Sequence, residues 1–241
     1  MKAVILAAGI ASRLRPLTNN TPKCLLKIAG KRILEQAIEN LVANGLTDII
    51  VVTGYLENQI RDYVTERFPN LDIQYIHNEV YATTNNIYSL GLVQEAVGKH
   101  PMLMMDSDIV FDPRIIGELL RSGYENCLAL KRHAVQDEEI KVKADARGRV
   151  LEISKEVNPD EAIGESIGIE LFGDGMLEGL FRIIERKVKR EGNVNQFYEA
   201  AFQELINEGQ DLFVVDTTRY FCMEIDTPDD LRIAGELMQQ G

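Results

Sequence analysis

Short apolar runs alternate along the chain with stretches of helical periodicity. Ala3–Ala8 is continuously apolar and predicts a buried first strand. Ile33-Leu34, Ala37-Ile38 and Leu41-Val42 recur at helical spacing, predicting a helix over Lys31–Asn44 that Gly45 ends. Strands are expected at Asp48–Thr53 and Leu71–His77, with a helix over Glu57–Phe68 between them and another over Asn85–Val97 after them. A fourth strand, Met102–Met105, runs into Asp106-Ser107-Asp108. β-Branched runs alternating with helical patterns mark βαβ units, so the expected fold is α/β: a Rossmann-like, mostly parallel sheet with helices on both faces.

Asp112-Pro113 has the form of a helix start. From about 127 to 172 the pattern changes. Leu128–Arg132, Ile140–Ala144, Val150–Ser154 and Ile167–Leu171 look like strands, with Arg147-Gly148 as a turn, and predict an antiparallel β insertion able to cover a site. Helices are expected at Phe181–Val188 and Gln196–Asn207, and strands at Phe213–Val215 and Tyr220–Ile225. Thr227-Pro228-Asp229-Asp230 then opens a last helix. No repeat, linker or low-complexity segment breaks the chain, so residues 1–241 are expected to form one domain.

No apolar run approaches the roughly 20 residues of a membrane helix, and Cys24, Cys127 and Cys222 form no CxxC pattern, which suits a reduced, cytoplasmic protein. The net charge of −12 argues against a nucleic-acid surface. The charge is uneven, however. Residues 1–34 hold seven basic side chains (Lys2, Arg13, Arg15, Lys23, Lys27, Lys31, Arg32) and no acidic one, which suggests a local anionic ligand.

Ligands of doubly wound sheets bind beyond the carboxyl ends of the strands, so the segment after strand one is the first place to look. It has neither GxGxxG nor GxxxxGK[ST]. It is a long loop carrying Gly9, Ser12, Arg13, Arg15 and Lys23, with Pro16 and Pro22 limiting its freedom. Small residues let backbone N–H groups approach phosphates, while Arg supplies a fork and Lys a point charge. Leu6-Ala7-Ala8-Gly9-Ile10-Ala11-Ser12-Arg13-Leu14-Arg15-Pro16-Leu17-Thr18, followed by Thr21-Pro22-Lys23, closely resembles the signature of the nucleotidyltransferases that act on sugar phosphates and related small phosphates, LAAGxGxRxxPLT…PK. The resemblance implies a GT-A-like nucleotidyltransferase fold, with Gly9 and Arg13 holding a triphosphate and Lys23 stabilising charge at the reacting phosphorus. The pattern's second glycine is Ala11 here, and alanine admits a phosphate provided its φ stays negative.

Asp106 and Asp108 alternate after strand four and can share a face, and Asp226 follows the late strand. Mg²⁺ is typically held by one or two carboxylates plus substrate phosphates. The family resemblance places metal ligation on Asp108 and Asp226, with Asp106 either a supporting partner or the ligand itself. Gly54-Tyr55 and Asn85-Asn86 follow strands two and three and, with Leu6, Ala8 and Gly9, are the expected nucleotide contacts. Asn85-Asn86-Ile87-Tyr88-Ser89-Leu90, with Asn78 upstream, resembles the CTP:phosphocholine cytidylyltransferase branch more than the hexose-1-phosphate branch. That implies CTP and a small phosphorylated amino alcohol as partners, with no nucleic acid or membrane; self-association into a homo-oligomer is compatible with the sequence. Among Lys141, Lys143 and Lys155, Lys155 is the expected acceptor-phosphate ligand, and Glu165 and Tyr198 are candidates for the acceptor head group.

Three rivals fare worse. A metal-dependent glycosyltransferase also places a DxD after a nucleotide-binding sheet but does not need the Gly9–Lys23 loop. A phosphatase would carry its aspartate pair after strand one. A catalytically silent regulatory subunit would not need Arg13, Lys23, Asp108 and Asp226 together. His77, His100 and His133 are scattered and suggest no nucleophilic triad.

Overall fold

The computed structural model describes residues 1–240. In chain order the elements are β1 Lys2–Ala7, β2 Lys27–Ile28, β3 Lys31–Arg32, α1 Ile33–Ala43, β4 Ile49–Thr53, α2 Glu57–Arg67, β5 Ile73–His77, α3 Asn86–Leu92, α4 Gln94–Val97, β6 Met102–Asp106, β7 Ile109–Phe111 and α5 Arg114–Arg121. Then come β8 Cys127–Lys131, β9 Lys141–Ala144, β10 Val150–Ser154, β11 Gly164–Phe172, α6 Asp174–Glu185, α7 Glu199–Asn207, β12 Phe213–Asp216, β13 Cys222–Glu224 and α8 Pro228–Gln240.

β5, β4, β1 and β6 lie side by side in parallel, in the order expected of successive βαβ crossovers. β1 is buried on both faces, and its alternation divides the interior. Ala3, Ile5 and Ala7 pack with α1, α2 and α5, while Val4 and Leu6 pack with α3, α6 and α7. Helices therefore cover both faces, as the sequence predicts.

The antiparallel strands join the same sheet rather than standing apart from it. β11 pairs antiparallel with β6, β8 and β9, so it carries the sheet onward from its parallel half. Two further differences bear on the site. The late strand does not reach the main sheet: β13 pairs antiparallel with the three-residue β7, forming a separate ribbon. The long loop after β1 is partly ordered by two 3₁₀ turns, Ser12–Leu14 and Lys23–Leu25.

Other boundaries move for local reasons. Lys31-Arg32 is spent on a two-residue ribbon with Lys27-Ile28 before α1 starts. The expected Asn85–Val97 helix is broken at Val93, and Asn85 is its cap, its side-chain oxygen accepting from the Asn86 N–H at 2.8 Å. α6 starts seven residues before the expected Phe181, because Gly175 and Gly179 weaken the helical pattern there. Gly179 serves packing instead: a Cβ on it would lie 2.8 Å from Leu205 of α7.

Candidate active site

The carboxyl ends of β1 and β6, the loop after β1 and the β7–β13 ribbon enclose a cavity of about 860 Å³. Its centre is a charge cluster. Lys23 Nζ donates to Asp108 Oδ2 and to Asp226 Oδ1, each at 2.7 Å, and Arg13 Nη2 donates to Asp226 Oδ2 at 2.6 Å. Two aspartates 118 positions apart in sequence meet because of the ribbon. Asp108 immediately precedes β7 and Asp226 closely follows β13, and the antiparallel pairing Ile109 to Glu224 sets those ends side by side. The Ile225 N–H donates to the Asp108 carbonyl at 2.9 Å and locks them there.

Burial disfavours the Lys23 ammonium, but Asp108 and Asp226 outweigh it and raise its pKa above the ordinary lysine value. Glu224 completes the acidic side. With Asp108 and Asp226 it offers oxygen atoms all within 4.8 Å of one another. Enclosure by the cavity walls, then repulsion from Asp108 and Asp226, push its carboxyl up to about 8. An all-oxygen carboxylate set suits a hard divalent cation such as Mg²⁺. Glu224 was missed at the sequence level, although Glu224-x-Asp226 has the same one-face alternation as Asp106-x-Asp108.

Asp106 sits behind this group. Tyr198 Oη donates to its Oδ2 at 2.7 Å. Burial, followed by repulsion from Asp108 and Glu170, raises its pKa well above the aspartate norm. A Cβ on Gly168, whose φ is +71°, would come 2.8 Å from the same oxygen, so a glycine there makes room for the carboxylate. The metal-capable cluster therefore contains Asp108 and Asp226 but not Asp106. Tyr198, expected at the acceptor, is fully buried and spends its hydroxyl on Asp106.

The β1 loop approaches the cluster through Ala8, Gly9, Ala11 and Arg13, which line the cavity together with Leu6. Ala11 corrects one expectation. Its φ is +52° and its ψ +54°, a left-handed conformation rather than the negative φ that alanine prefers. Its carbonyl accepts from Thr18 Oγ1 at 2.8 Å and from the Leu14 N–H at 3.2 Å, and these bonds hold it there. The left-handed form costs a non-glycine residue roughly 1–2 kcal/mol, so Ala11→Gly is expected to raise stability by about 1 kcal/mol after the extra unfolded-state entropy is deducted. Urea unfolding of the two proteins checks this; a variant no more stable than the parent would show that the turn bears no strain.

Gly54 and Tyr55 buttress the site from behind. A Cβ on Gly54 would come 2.7 Å from the Ala8 carbonyl oxygen, and Tyr55 Oη donates to the Asn19 carbonyl at 2.7 Å. Asn85 and Asn86 do line the cavity. Asn86 Oδ1 accepts from the Tyr198 N–H at 2.9 Å. Buried Asn78 donates to Thr84 and Ser89, each at 3.1 Å, and so fixes the segment that carries both.

Of the seven basic residues in 1–34, the cluster takes two, Arg13 and Lys23. Lys2 pairs with Asp48 and Lys31 with Glu39, so much of that charge is surface pairing. Of the three lysines at 141, 143 and 155, only Lys155 lines the cavity, donating to Glu138 at 3.0 Å. Lys141 is buried and holds the Lys155 carbonyl at 2.5 Å, while Lys143 pairs with Glu161. The three cysteines are unpaired and buried, and no described helix is long and apolar enough to cross a membrane.

Comparison with known proteins agrees with this geometry. The nucleotidyl transferase family model matches residues 2–151. Choline-phosphate cytidylyltransferase of Streptococcus pneumoniae is 30% identical over 99% of each chain, and CTP:phosphoglutamine cytidylyltransferase of Campylobacter jejuni is 27% identical over 97% of this chain and 98% of its own. The solved CTP:phosphocholine cytidylyltransferase of S. pneumoniae superposes with a TM-score of 0.80 at 27% identity, covering 98% of both chains. A glucose-1-phosphate thymidylyltransferase structure from Bacillus anthracis shares the fold, with a TM-score of 0.83 at 19% identity over 100% of this chain and 96% of its own. A family model over most of the chain and a full-length relative at 30% identity make this protein a member of the nucleotidyltransferase family, with cytidylyltransferases among its relatives.

Proposed function

We propose that the protein is a Mg²⁺-dependent cytidylyltransferase that couples CTP to a small phosphorylated amino alcohol of the phosphocholine kind, giving a CDP-alcohol or CMP-phosphonate and pyrophosphate. One observation carries the reading: the loop after β1 delivers Arg13 and Lys23 onto Asp108 and Asp226 inside a single cavity. The relatives that act on phosphocholine and phosphoglutamine support the choice of CTP and of a small phosphorylated acceptor.

In the reaction an anionic oxygen of the acceptor's phosphate attacks the α-phosphorus of CTP. The new O–P bond forms as the bond to the β-phosphate oxygen breaks, and pyrophosphate leaves with that electron pair. The attacking oxygen already carries its charge, so no general base is needed and catalysis is positioning plus charge neutralisation. Gly9 and its neighbours let the loop backbone approach the triphosphate, Arg13 holds it, and Lys23 meets the charge developing toward pyrophosphate. Asp108, Asp226 and Glu224 would hold Mg²⁺. When bound, the ion would supply neutralisation of the phosphate charge. Asn85 and Asn86 offer amides to the base edge, and Lys155 reaches toward the acceptor phosphate. Asp106, tied to Tyr198, positions the wall behind the metal ligands.

The test is pyrophosphate release with Mg²⁺, each common nucleoside triphosphate, and a panel of phosphocholine, phosphoethanolamine, aminoethylphosphonate and hexose 1-phosphates. Turnover is expected with CTP and an amino-alcohol phosphate, and its loss in Asp108→Ala. Turnover only with UTP or dTTP and a sugar phosphate would overturn the substrate assignment and keep the chemistry. Nucleotide binding without turnover of any pair would point to a silent regulatory subunit.

A further inference from the structure

Beside the metal-capable carboxylates, the cavity contains a second charged cluster that the transfer chemistry leaves unused. His133, Glu139 and Glu165 all line it, and one ligand atom from each lies within 4.8 Å of the others. His133 Nε2 stands 3.1 Å from Glu165 Oε2 and 3.9 Å from Glu139 Oε2, while its Nδ1 is 3.0 Å from the Ala134 carbonyl. The imidazole can set at most one positive charge against two carboxylates. Lys155 Nζ donates to Glu138 at 3.0 Å, whereas Lys131 Nζ donates to the neutral Cys222 carbonyl at 3.0 Å and keeps its charge, which favours the ionised form of Glu165. The box therefore presents two carboxylates to the cavity, with His133 between them and Lys131 nearby. Burial, and then Glu139, raise the Glu165 pKa against the opposing pull of His133 and Lys131.

Its place suits one end of an acceptor. Glu165 and Gly168 belong to the same strand, and Gly168 abuts Asp106 about 10 Å along it, behind the metal-capable carboxylates; Glu165 is also close enough to Glu224 to raise its pKa. That is the reach of a molecule a few bonds long whose phosphate lies at the cluster.

We propose that His133, Glu139 and Glu165 receive the acceptor's cationic head group, and that they select a protonated primary amine over a quaternary ammonium. This rests on the cytidylyltransferase reading above. The selectivity follows from the kind of atoms present. A primary ammonium donates hydrogen bonds, which carboxylate oxygens accept; a trimethylammonium has none to give and is recognised by aromatic faces. Besides His133, three aromatic rings line the cavity, Tyr81, Phe197 and Tyr198, and each has other company. Lys155 Nζ already sits 4.8 Å from the centre of the Phe197 ring. Tyr198 is buried against Phe202, with ring centres 5.1 Å apart. Tyr81 packs near Tyr55 and His77, beside the nucleotide-side glycine Gly54. No open aromatic cage stands beside the carboxylates among the described residues.

Phosphoethanolamine and its mono-, di- and trimethylated forms, the last being phosphocholine, provide the test at saturating CTP. kcat/KM is expected to fall stepwise with methylation, by roughly tenfold or more across the series. Glu165→Gln and Glu139→Gln should each raise KM for the primary amine more than they lower kcat, and flatten the series. CTP binding measured by calorimetry guards against loss of fold, and Glu139, on the segment between β8 and β9, supplies the variant less tied to the sheet. A wild-type preference for phosphocholine, or a series unchanged in both variants, would overturn the inference and leave cytidylyl transfer standing. Turnover of hexose phosphates with none of the amines would overturn the proposed function, and this inference with it.

Discussion

Lys23→Ala is expected to reduce turnover by ~10²–10³-fold, the size of effect seen when a preorganised charge-stabilising group is removed from a closed site. Lys23 is placed to do more than pair with a carboxylate. Its side chain is 12% exposed and its ammonium bridges Asp108 and Asp226 at 2.7 Å each. Taking it away leaves Asp108, Asp226 and Glu224 facing one another with Arg13, 62% exposed, as the remaining cation in contact. Lys23→Arg should recover little, because a planar fork cannot take the place of a point charge between two oxygens. Steady-state kinetics at saturating CTP and acceptor, with circular dichroism to confirm folding, checks both variants. A loss below tenfold in a folded Lys23→Ala protein would remove Lys23 from the reaction and leave it a structural tie.

The central parallel strands were legible because they are buried on both faces and read as apolar runs, as in Ala3–Ala8 and Ile49–Val52, whereas the edge strand β5 is only partly buried. The loop residues Arg13 and Lys23 and the aspartates 108 and 226 were legible through motif and position, and the structure brings these four together. What the sequence hid depends on contacts between distant segments. β13 falls within the expected strand Tyr220–Ile225, but its three-residue partner β7 is too short for periodicity to register, and it is their pairing that joins Asp108 to Asp226. Ala11 was expected at negative φ because alanine prefers it; bonds from Thr18 and Leu14 override that preference. Tyr198 reads as a head-group candidate until its ring is seen in the core with its hydroxyl on Asp106. The box at His133, Glu139 and Glu165 spans a loop and a strand that meet because β8 and β9, which flank the loop, both pair with β11 at Glu165.

The folded protein should lose stability as pH rises from about 5 to 8, and Glu199→Gln should remove part of that slope. Glu199, the first residue of α7, is 6% exposed, and its Oε2 has no hydrogen-bond partner. Burial pushes its carboxyl from the ordinary 4.5 up to about 7, against a smaller opposing pull from a backbone N–H and from Lys155. Between those values the folded chain keeps a proton that the unfolded chain has released, so rising pH favours unfolding. The folding free energy given up across that interval is roughly 3–4 kcal/mol for this one group, and it is fully lost once pH exceeds the folded pKa. Below 4.5 both states are protonated and the group contributes no slope. Asp106 and Glu170, raised by burial in the same neighbourhood, add slope of the same sign that the substitution leaves in place. Glutamine keeps the size of the side chain and cannot ionise, so wild type and Glu199→Gln should diverge in urea midpoint as pH rises, with the variant relatively more stable at pH 8 than at pH 5. Parallel pH profiles for the two proteins would mean that Glu199 is not holding a proton in the folded state, and that the slope belongs to the other raised carboxyls, Asp106, Glu165, Glu170 and Glu224.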